Sequence, residues 1–291
     1  MAKVTTYPAI TSFESDDIIF TDGSNGPRKV YSKNALRSFT KAAVGYNSRR
    51  NAYYAENIGS EITSQMVDEI FNGTFNGFAI GQYFTFEDYT FAIADINYYS
   101  MISTATNRRS SLAPEATPST DIIPPIGNHL VMVVRGPAPG NSLPTAPMND
   151  TDTTEGGYLQ SKMYTEYLDD IRTAIASSFG NLVIPFTQIY PNDINGTTYS
   201  YVTDTVFPLS EVNLYGHNAF GRPDVFSYDT RQYSLFALNP TYHAMRSFWL
   251  RDIVSSTEFA YHEGCGMQAK ASASTPGELI VAFLIGQATR E

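Results

Sequence analysis

The run from Met148 to Met163, MNDTDTTEGGYLQSKM, limits what this chain can fold into more than any other stretch of its 291 residues. Its first half is Asn, Asp, Thr and a Gly-Gly pair, residues that bond their own backbone in turns and tolerate positive φ. Its second half opens an apolar pattern in which Leu159, Met163, Tyr167, Ile171 and Ile175 recur at four-residue steps. That spacing predicts a helix from Tyr158 to Phe179, closed by Gly180 in the manner of a left-handed cap.

Around this junction the chain alternates between strand and helix signals. Asp16 to Thr21, a Gly/Asn turn over 22–26, and Arg28 to Tyr31 predict a hairpin, followed by a helix from Ser32 to about Ala43. Residues 46–59 are polar and tyrosine-bearing, as a linker would be. Ser60 is expected to open a helix with Ile62, Met66, Val67, Ile70 and Phe71 on one face and a stop at Asn72-Gly73. Strands are expected over 78–86, 89–97, 182–188, 210–215, 247–251, 258–261 and 278–284. His129 to Val134 is too uniformly apolar for an edge and should be a central strand. The Ser/Thr/Pro/Asn-rich stretch 103–125 and the Pro/Gly-rich stretch 136–147 read as loops. Together these predict an α+β layout, two helices flanking small antiparallel sheets with long loops.

Composition narrows the function classes. The formal net charge is −10, which disfavours nonspecific attraction to nucleic acid. Aromatics are dense, 20 Tyr and 18 Phe against one Trp, and Tyr suits half-exposed strands because its ring buries area while its hydroxyl finds a partner. The single cysteine, Cys265, excludes an internal disulfide framework. No 18-residue apolar run predicts a membrane span, and MAKVTTYPAI lacks the apolar stretch of a secretion signal. The expectation is a protein made in a cytoplasm and released by lysis.

Chemical motifs are sparse. The four histidines, His129, His217, His243 and His262, show no HxH or HxxxH spacing, and each is expected to be a satisfied structural residue. His262-Glu263 beside Cys265 suggests a nucleophile pair, but catalytic partners usually come from distant chain positions. The pairs Asp16-Asp17, Glu87-Asp88 and Asp169-Asp170 are adjacent, whereas glycosidase carboxylates face one another across a groove. Asp150, Asp152 and Glu155 place oxygen ligands at alternating positions, as calcium loops do, but without EF-hand spacing, and a helix-capping Asx loop is the expectation. No Walker loop, GxGxxG, GxSxG or HExxH occurs. Neither an enzyme, nor a metal, nor a cofactor is expected.

The Met148–Met163 run resembles the MN-T-TTEGGY-GS-M segment of C-type-lectin-like domains in bacteriophage and prophage proteins. Three further pieces match in order: Ile70 to Phe84, Val212 to Gly216 (VNLYG), and Phe248 to Arg251 (FWLR). The resemblance covers roughly residues 60–286, and departs from the family's closing Gly-Val-Arg-Pro at Gly277-Glu278-Leu279-Ile280. It implies a C-type-lectin-like domain over 60–291, preceded by a particle-docking hairpin and helix over 1–45 and the 46–59 linker. It implies a virion structural protein on capsid or tail, acting in host-surface attachment or as a decoration or fibre component. The alternatives are a tail-associated polysaccharide-degrading enzyme and a cement or connector protein without a ligand. Implied partners are other virion proteins, further copies of the chain, and a host-surface glycan or protein, with neither nucleic acid nor membrane insertion. Ligand contact is implied after Trp249, at Ser255, Glu258, Tyr261, His262, Glu263, Gln268 and Lys270, with Trp249 itself in the core.

Overall fold

A computed structural model of the chain describes residues 18–22, 26–30, 53–99, 127–196, 198–221, 229 and 231–287. The chain divides into two compact units, Met1–Arg49 and Arg50–Glu291. In the first, strands β1 (Ile18–Asp22) and β2 (Gly26–Val30) pair antiparallel, Ile18 opposite Val30 and Asp22 opposite Gly26, which is the expected hairpin. The helix expected over 32–43 and the loop over 103–125 lie outside the described residues.

The second unit is mixed α+β, mostly sheet with few and short helices among the described residues. Helix α1 (Ser64–Phe71) begins four residues later than Ser60 suggested, because the Thr63 hydroxyl accepts the Met66 N–H. It stops at Asn72, as expected. The second half of the expected linker is not a linker. From Tyr53 on it runs parallel beside residues 80–85, with Tyr54 N donating to Ile80 O (2.8 Å) and Tyr83 N to Glu56 O (2.9 Å).

The larger sheet contains β3 (Tyr83–Thr85), β4 (Tyr89–Ile96), β5 (His129–Pro137), β7 (Val183–Ile184), β10 (Val206–Pro208) and β15 (Val281–Gly286). Its order is β10-β15-β5-β4-β3, all antiparallel, with β7 continuing beyond β10 along the outer edge of β15. The apolar run that begins at His129 is a central strand, and β4 and β15 on either side of it are buried along their whole lengths. Phe84, Phe91, Phe179 and Phe283 form an edge-to-face and tilted cluster with centroid spacings of 5.0–6.2 Å. Each buried ring contributes about 1.5–3 kcal/mol, so this cluster fixes helix α2 (Asp169–Phe179) on the sheet through its last residue.

The second sheet has the order β13-β12-β11-β14-β6, from β6 (Thr145–Ala146), β11 (Phe248–Ile253), β12 (Glu258–Glu263), β13 (Met267–Ser272) and β14 (Gly277–Glu278). Trp249 on β11 is buried, with Nε1 donating to Ala146 O at 3.1 Å, the core role expected of it. Strands β8 (Phe186–Pro191) and β9 (Tyr199–Asp204) form a separate hairpin.

Several local expectations fail for identifiable reasons. The helix expected from Tyr158 to Phe179 is broken into a 3-10 turn (Tyr158–Gln160), a π turn (Met163–Tyr167) and α2. Ser161 is extended, its hydroxyl donating to Tyr158 O and accepting the Tyr164 N–H, so a side chain replaces the backbone ladder there. Pro185 lacks an N–H and divides the expected 182–188 strand into β7 and β8, which join different sheets. The expected 78–86 strand survives only as β3, because Gln82 N turns back to Ala79 O. The expected 278–284 strand is likewise two, β14 and β15, in different sheets.

Residues 210–215, expected as a strand, form helix α3 (Glu211–Tyr215). Ser210 Oγ accepts the Asn213 N–H while Asn213 Oδ1 accepts the Ser210 N–H, a complete capping box, and Gly216 closes the helix at φ 82°. A further short helix, α4 (Ser234–Leu238), is pinned to β4 by Asp95. This buried carboxylate sits at a register shift in β4, accepts two bonds from Arg231 (2.6 and 2.9 Å), and caps Ser234 N (3.0 Å).

Candidate functional site

Three segments meet beside the β12–β13 hairpin: α3 with the turn after it, α4 with the loop that follows, and the hairpin itself. They enclose a cavity of about 190 Å³. Its polar lining is Tyr215, His217, Gln232, His243, His262 and Gln268. Buried Leu214, Phe236 and His243 make the floor, and exposed His217 and Gly266 make the mouth. No Asp, Glu, Lys, Arg, Ser, Thr or Cys lines it.

Rigid secondary structure positions each group. His262 and Gln268 are opposite one another in the β12–β13 ladder, so their side chains share a face. The turn after α3 is shaped by Glu211, a fully buried carboxylate that accepts the N–H groups of Ala219 (3.2 Å), Phe220 (3.0 Å) and Gly221 (2.6 Å). That turn carries His217. Asp95 holds α4, and with it Phe236, in place.

Two hydrogen-bond chains cross at Tyr215. Its hydroxyl donates to His262 Nδ1 (2.7 Å), because His262 Nε2 must donate to the carbonyl of His243 (3.2 Å). Its carbonyl accepts from His217 Nδ1 (3.1 Å), and His217 Nε2 then accepts from the Gln268 amide nitrogen (3.1 Å). The tautomers follow from these partners. Burial lowers the pKa of His262 and, with a smaller contribution from Glu211, raises that of the Tyr215 hydroxyl.

His243 is different. It is 97% buried, since its relative exposure is 3%, and neither ring nitrogen has a hydrogen-bond partner. The Val134 backbone favours the charged ring slightly without completing a bond of good geometry. Burial, reinforced by the Arg246 guanidinium, pushes the His243 pKa down to about 3. The ring is packed among Phe236, Tyr242 and Phe248 at centroid distances of 4.7–5.9 Å.

The residues singled out after Trp249 do not form one face. Glu258 and Lys270 pair on the surface (2.9 Å) and Ser255 donates to the same carboxylate oxygen (2.9 Å), a cluster tied up within itself. Lys270 and Ser255 together hold the Glu258 carboxyl below its usual range. Tyr261 is a correction: it points to the opposite side of β12, packs on Trp249 at 4.8 Å and donates to Pro276 O. The two-residue period of the strand dictates this, since Tyr261 follows Ala260 and precedes His262. Glu263 is exposed at the strand end, and only His262 and Gln268 of the seven line the pocket.

A second correction concerns the histidines. His129 is a structural residue, with Nδ1 donating to Gly127 O and Nε2 accepting the Tyr99 N–H. The other three, distant in sequence and expected to be satisfied structural residues, line one cavity, and His243 departs from that expectation, its ring nitrogens being buried without a hydrogen bond of good geometry. No local spacing could reveal this, because α3, α4 and β12 converge only in the tertiary fold. Cys265 is exposed at the hairpin turn, and His262 is committed to Tyr215 and His243 rather than to it.

Asp150 is engaged by Lys162 and Tyr167, and Asp152 by Ser274. Among the described residues no group of three or more His, Cys, Asp or Glu is arranged to hold a metal ion, and no helix is long and apolar enough to cross a membrane. Set against known proteins, the chain matches no protein family, no curated protein and no solved structure, so the pocket is read from its own geometry.

Proposed function

We propose that the protein is a structural component of a bacteriophage particle, and that its second unit is a C-type-lectin-like recognition domain with the histidine-lined pocket as its ligand seat. The first unit docks the chain to capsid or tail proteins, and particle symmetry presents it in multiple copies. The observation that carries the recognition reading is the pocket itself, a cavity of hydrogen-bonding side chains held on strands and short helices. Pre-positioned polar groups on an apolar floor are what a binding site requires. The phage-like loop supports the same reading, because Thr154 bonds the carbonyls of Ser255 (2.7 Å) and Ser256 (3.0 Å) and so braces the connection into the hairpin. A polysaccharide-degrading enzyme would need two carboxylates about 5–9 Å apart across a groove, and the lining of this pocket carries neither.

Cryo-electron microscopy of purified particles, combined with adsorption to host cells, tests the proposal. The expected result is density for the chain on the particle with the mouth at His217 facing outward, and weaker adsorption by particles carrying Gln268→Ala. A chain missing from the particle overturns the virion reading. A mouth closed by neighbouring subunits overturns recognition and leaves a cement protein.

A further inference from the structure

We infer that strand β13 is a docking edge for a second copy of this chain: two β13 strands pair antiparallel about a two-fold axis at Ala269, joining the second sheets of two molecules into one. The inference stands apart from what the pocket binds.

β13 is the outermost strand of its sheet, and none of its residues, Met267–Ser272, is buried. A strand turns its backbone N–H and C=O groups alternately to one neighbour and the other, and the ladder to β12 settles which residues face outward. Ala273 N donates to Thr257 O (2.9 Å) in the same register that pairs Met267 with Glu263, so Met267, Ala269 and Ala271 turn their backbone groups towards β12. Gln268 and Lys270 therefore turn theirs away from the sheet. The Ser272 carbonyl agrees, since it lies off the ladder and accepts Thr275 N (2.8 Å). Among the described residues nothing outside β12 bonds the backbone of Gln268 or Lys270.

Edges are normally blunted by shortness, proline, bulges or charge. The other edges of the two sheets follow that rule: β6, β7 and β10 are only two or three residues long, and β3 is covered by the segment that starts at Tyr53. β13 does not. It has no proline and pairs with β12 along its whole length without a register shift. Its one charge, Lys270, is held by Glu258 of the same chain (2.9 Å).

The strand also fits itself, in one register. An axis at Lys270 would set two ammonium groups directly opposite one another. An axis at Gln268 would pair Lys270 with Gly266, which sits in the turn at φ 79° and cannot extend a strand. An axis at Ala269 places Gln268 opposite Lys270 of the second copy, and each such pair exchanges both backbone bonds. Ala269 then meets its own mate at a non-hydrogen-bonded position, where Cα atoms approach to about 4.5 Å and small side chains fit best. At either end Met267, 53% exposed in the single chain, comes to lie opposite Ala271, bulky against small. Backbone, charge and side-chain size thus select a second β13 as the occupant.

The test uses the full chain with Cys265→Ser, which removes the exposed native thiol. Sedimentation equilibrium over a concentration series should show a monomer–dimer equilibrium. Lys270→Pro deletes an outward N–H without touching the β12 ladder, and should weaken the dimer at least about tenfold. Lys270→Ala loses only the Glu258 pair and should dimerise at least as well as the parent. Cross-linking reads the same edge without proline: with glutathione disulfide as oxidant, Ala269→Cys should link into dimers faster than Ala271→Cys, whose mate lies displaced along the strand. A monomer at every concentration overturns the inference and leaves the edge to a strand of another protein. A dimer indifferent to Lys270→Pro overturns it too and places the contact at another edge, β9 included, and faster linking through Ala271→Cys overturns the register and with it the self-fit.

Discussion

The Tyr215 hydroxyl donates to Nδ1 of His262 at 2.7 Å, joining the C-terminal end of α3 to the turn end of the β12–β13 hairpin. Because His262 Nε2 is already committed to the His243 carbonyl, that one bond fixes ring tautomer and ring position together. Tyr215→Phe removes the donor and leaves a largely buried acceptor. A loss of about 1–2 kcal/mol in urea unfolding is expected, and an unchanged midpoint would show that the bond contributes nothing.

His243 makes stability depend on pH in a defined direction. Its folded pKa is depressed to about 3 from the ordinary 6.5, so between those values the unfolded chain binds a proton that the folded chain does not. Stability from this group is therefore complete above about 6.5 and is lost as pH falls towards about 3, at up to about 1.4 kcal/mol per pH unit. His243→Phe keeps an aromatic ring and removes the titration. The stability difference between variant and parent should grow as pH falls through that window, and a difference independent of pH would contradict the assignment.

Glu211 holds the turn that carries His217 by accepting three consecutive backbone N–H groups. Glu211→Gln replaces one accepting oxygen with a donor aimed at other donors. A cost of about 2–3 kcal/mol is expected, with accelerated amide exchange at residues 219–221. Protection unchanged at those amides would mean the turn is held by something else.

Gly157, in the motif that dominates the sequence, adopts φ 70°, and a Cβ there would lie 2.3 Å from the Pro191 carbonyl oxygen. Left-handed backbone and contact with a rigid strand end act together, so Gly157→Ala should cost about 3 kcal/mol in thermal unfolding. A variant as stable as the parent would place the loop elsewhere.

Elements marked by a continuous apolar run or by turn chemistry were legible in the sequence. The uniformly apolar run from His129 predicted the sheet's middle, and the turn chemistry at 22–26 predicted the first hairpin. Elements decided by a single polar side chain were read wrongly. Ser161 interrupts a strong helical period, and the Ser210/Asn213 box makes a helix of residues whose apolar spacing reads as strand. The second signal was present, since Ser-x-x-Asn followed by Gly216 is a short helix with both ends marked. For the pocket, the resemblance points to Gln268 and His262, whereas His217 and His243 read as structural residues and nothing in the sequence marks Tyr215. Their convergence depends on Asp95 anchoring α4 and on Glu211 shaping the turn, and neither carboxylate belongs to a motif.

The strand β15 lies inside its sheet, between β5 on one side and β7 with β10 on the other. A ribosome delivers it after every other strand described in this chain, so the sheet stays split, with β5 exposing an apolar edge, until residues 281–286 emerge. Folding of this unit is consequently held back until β15 has emerged, and any truncation before Val281 yields an aggregation-prone fragment rather than a shorter protein.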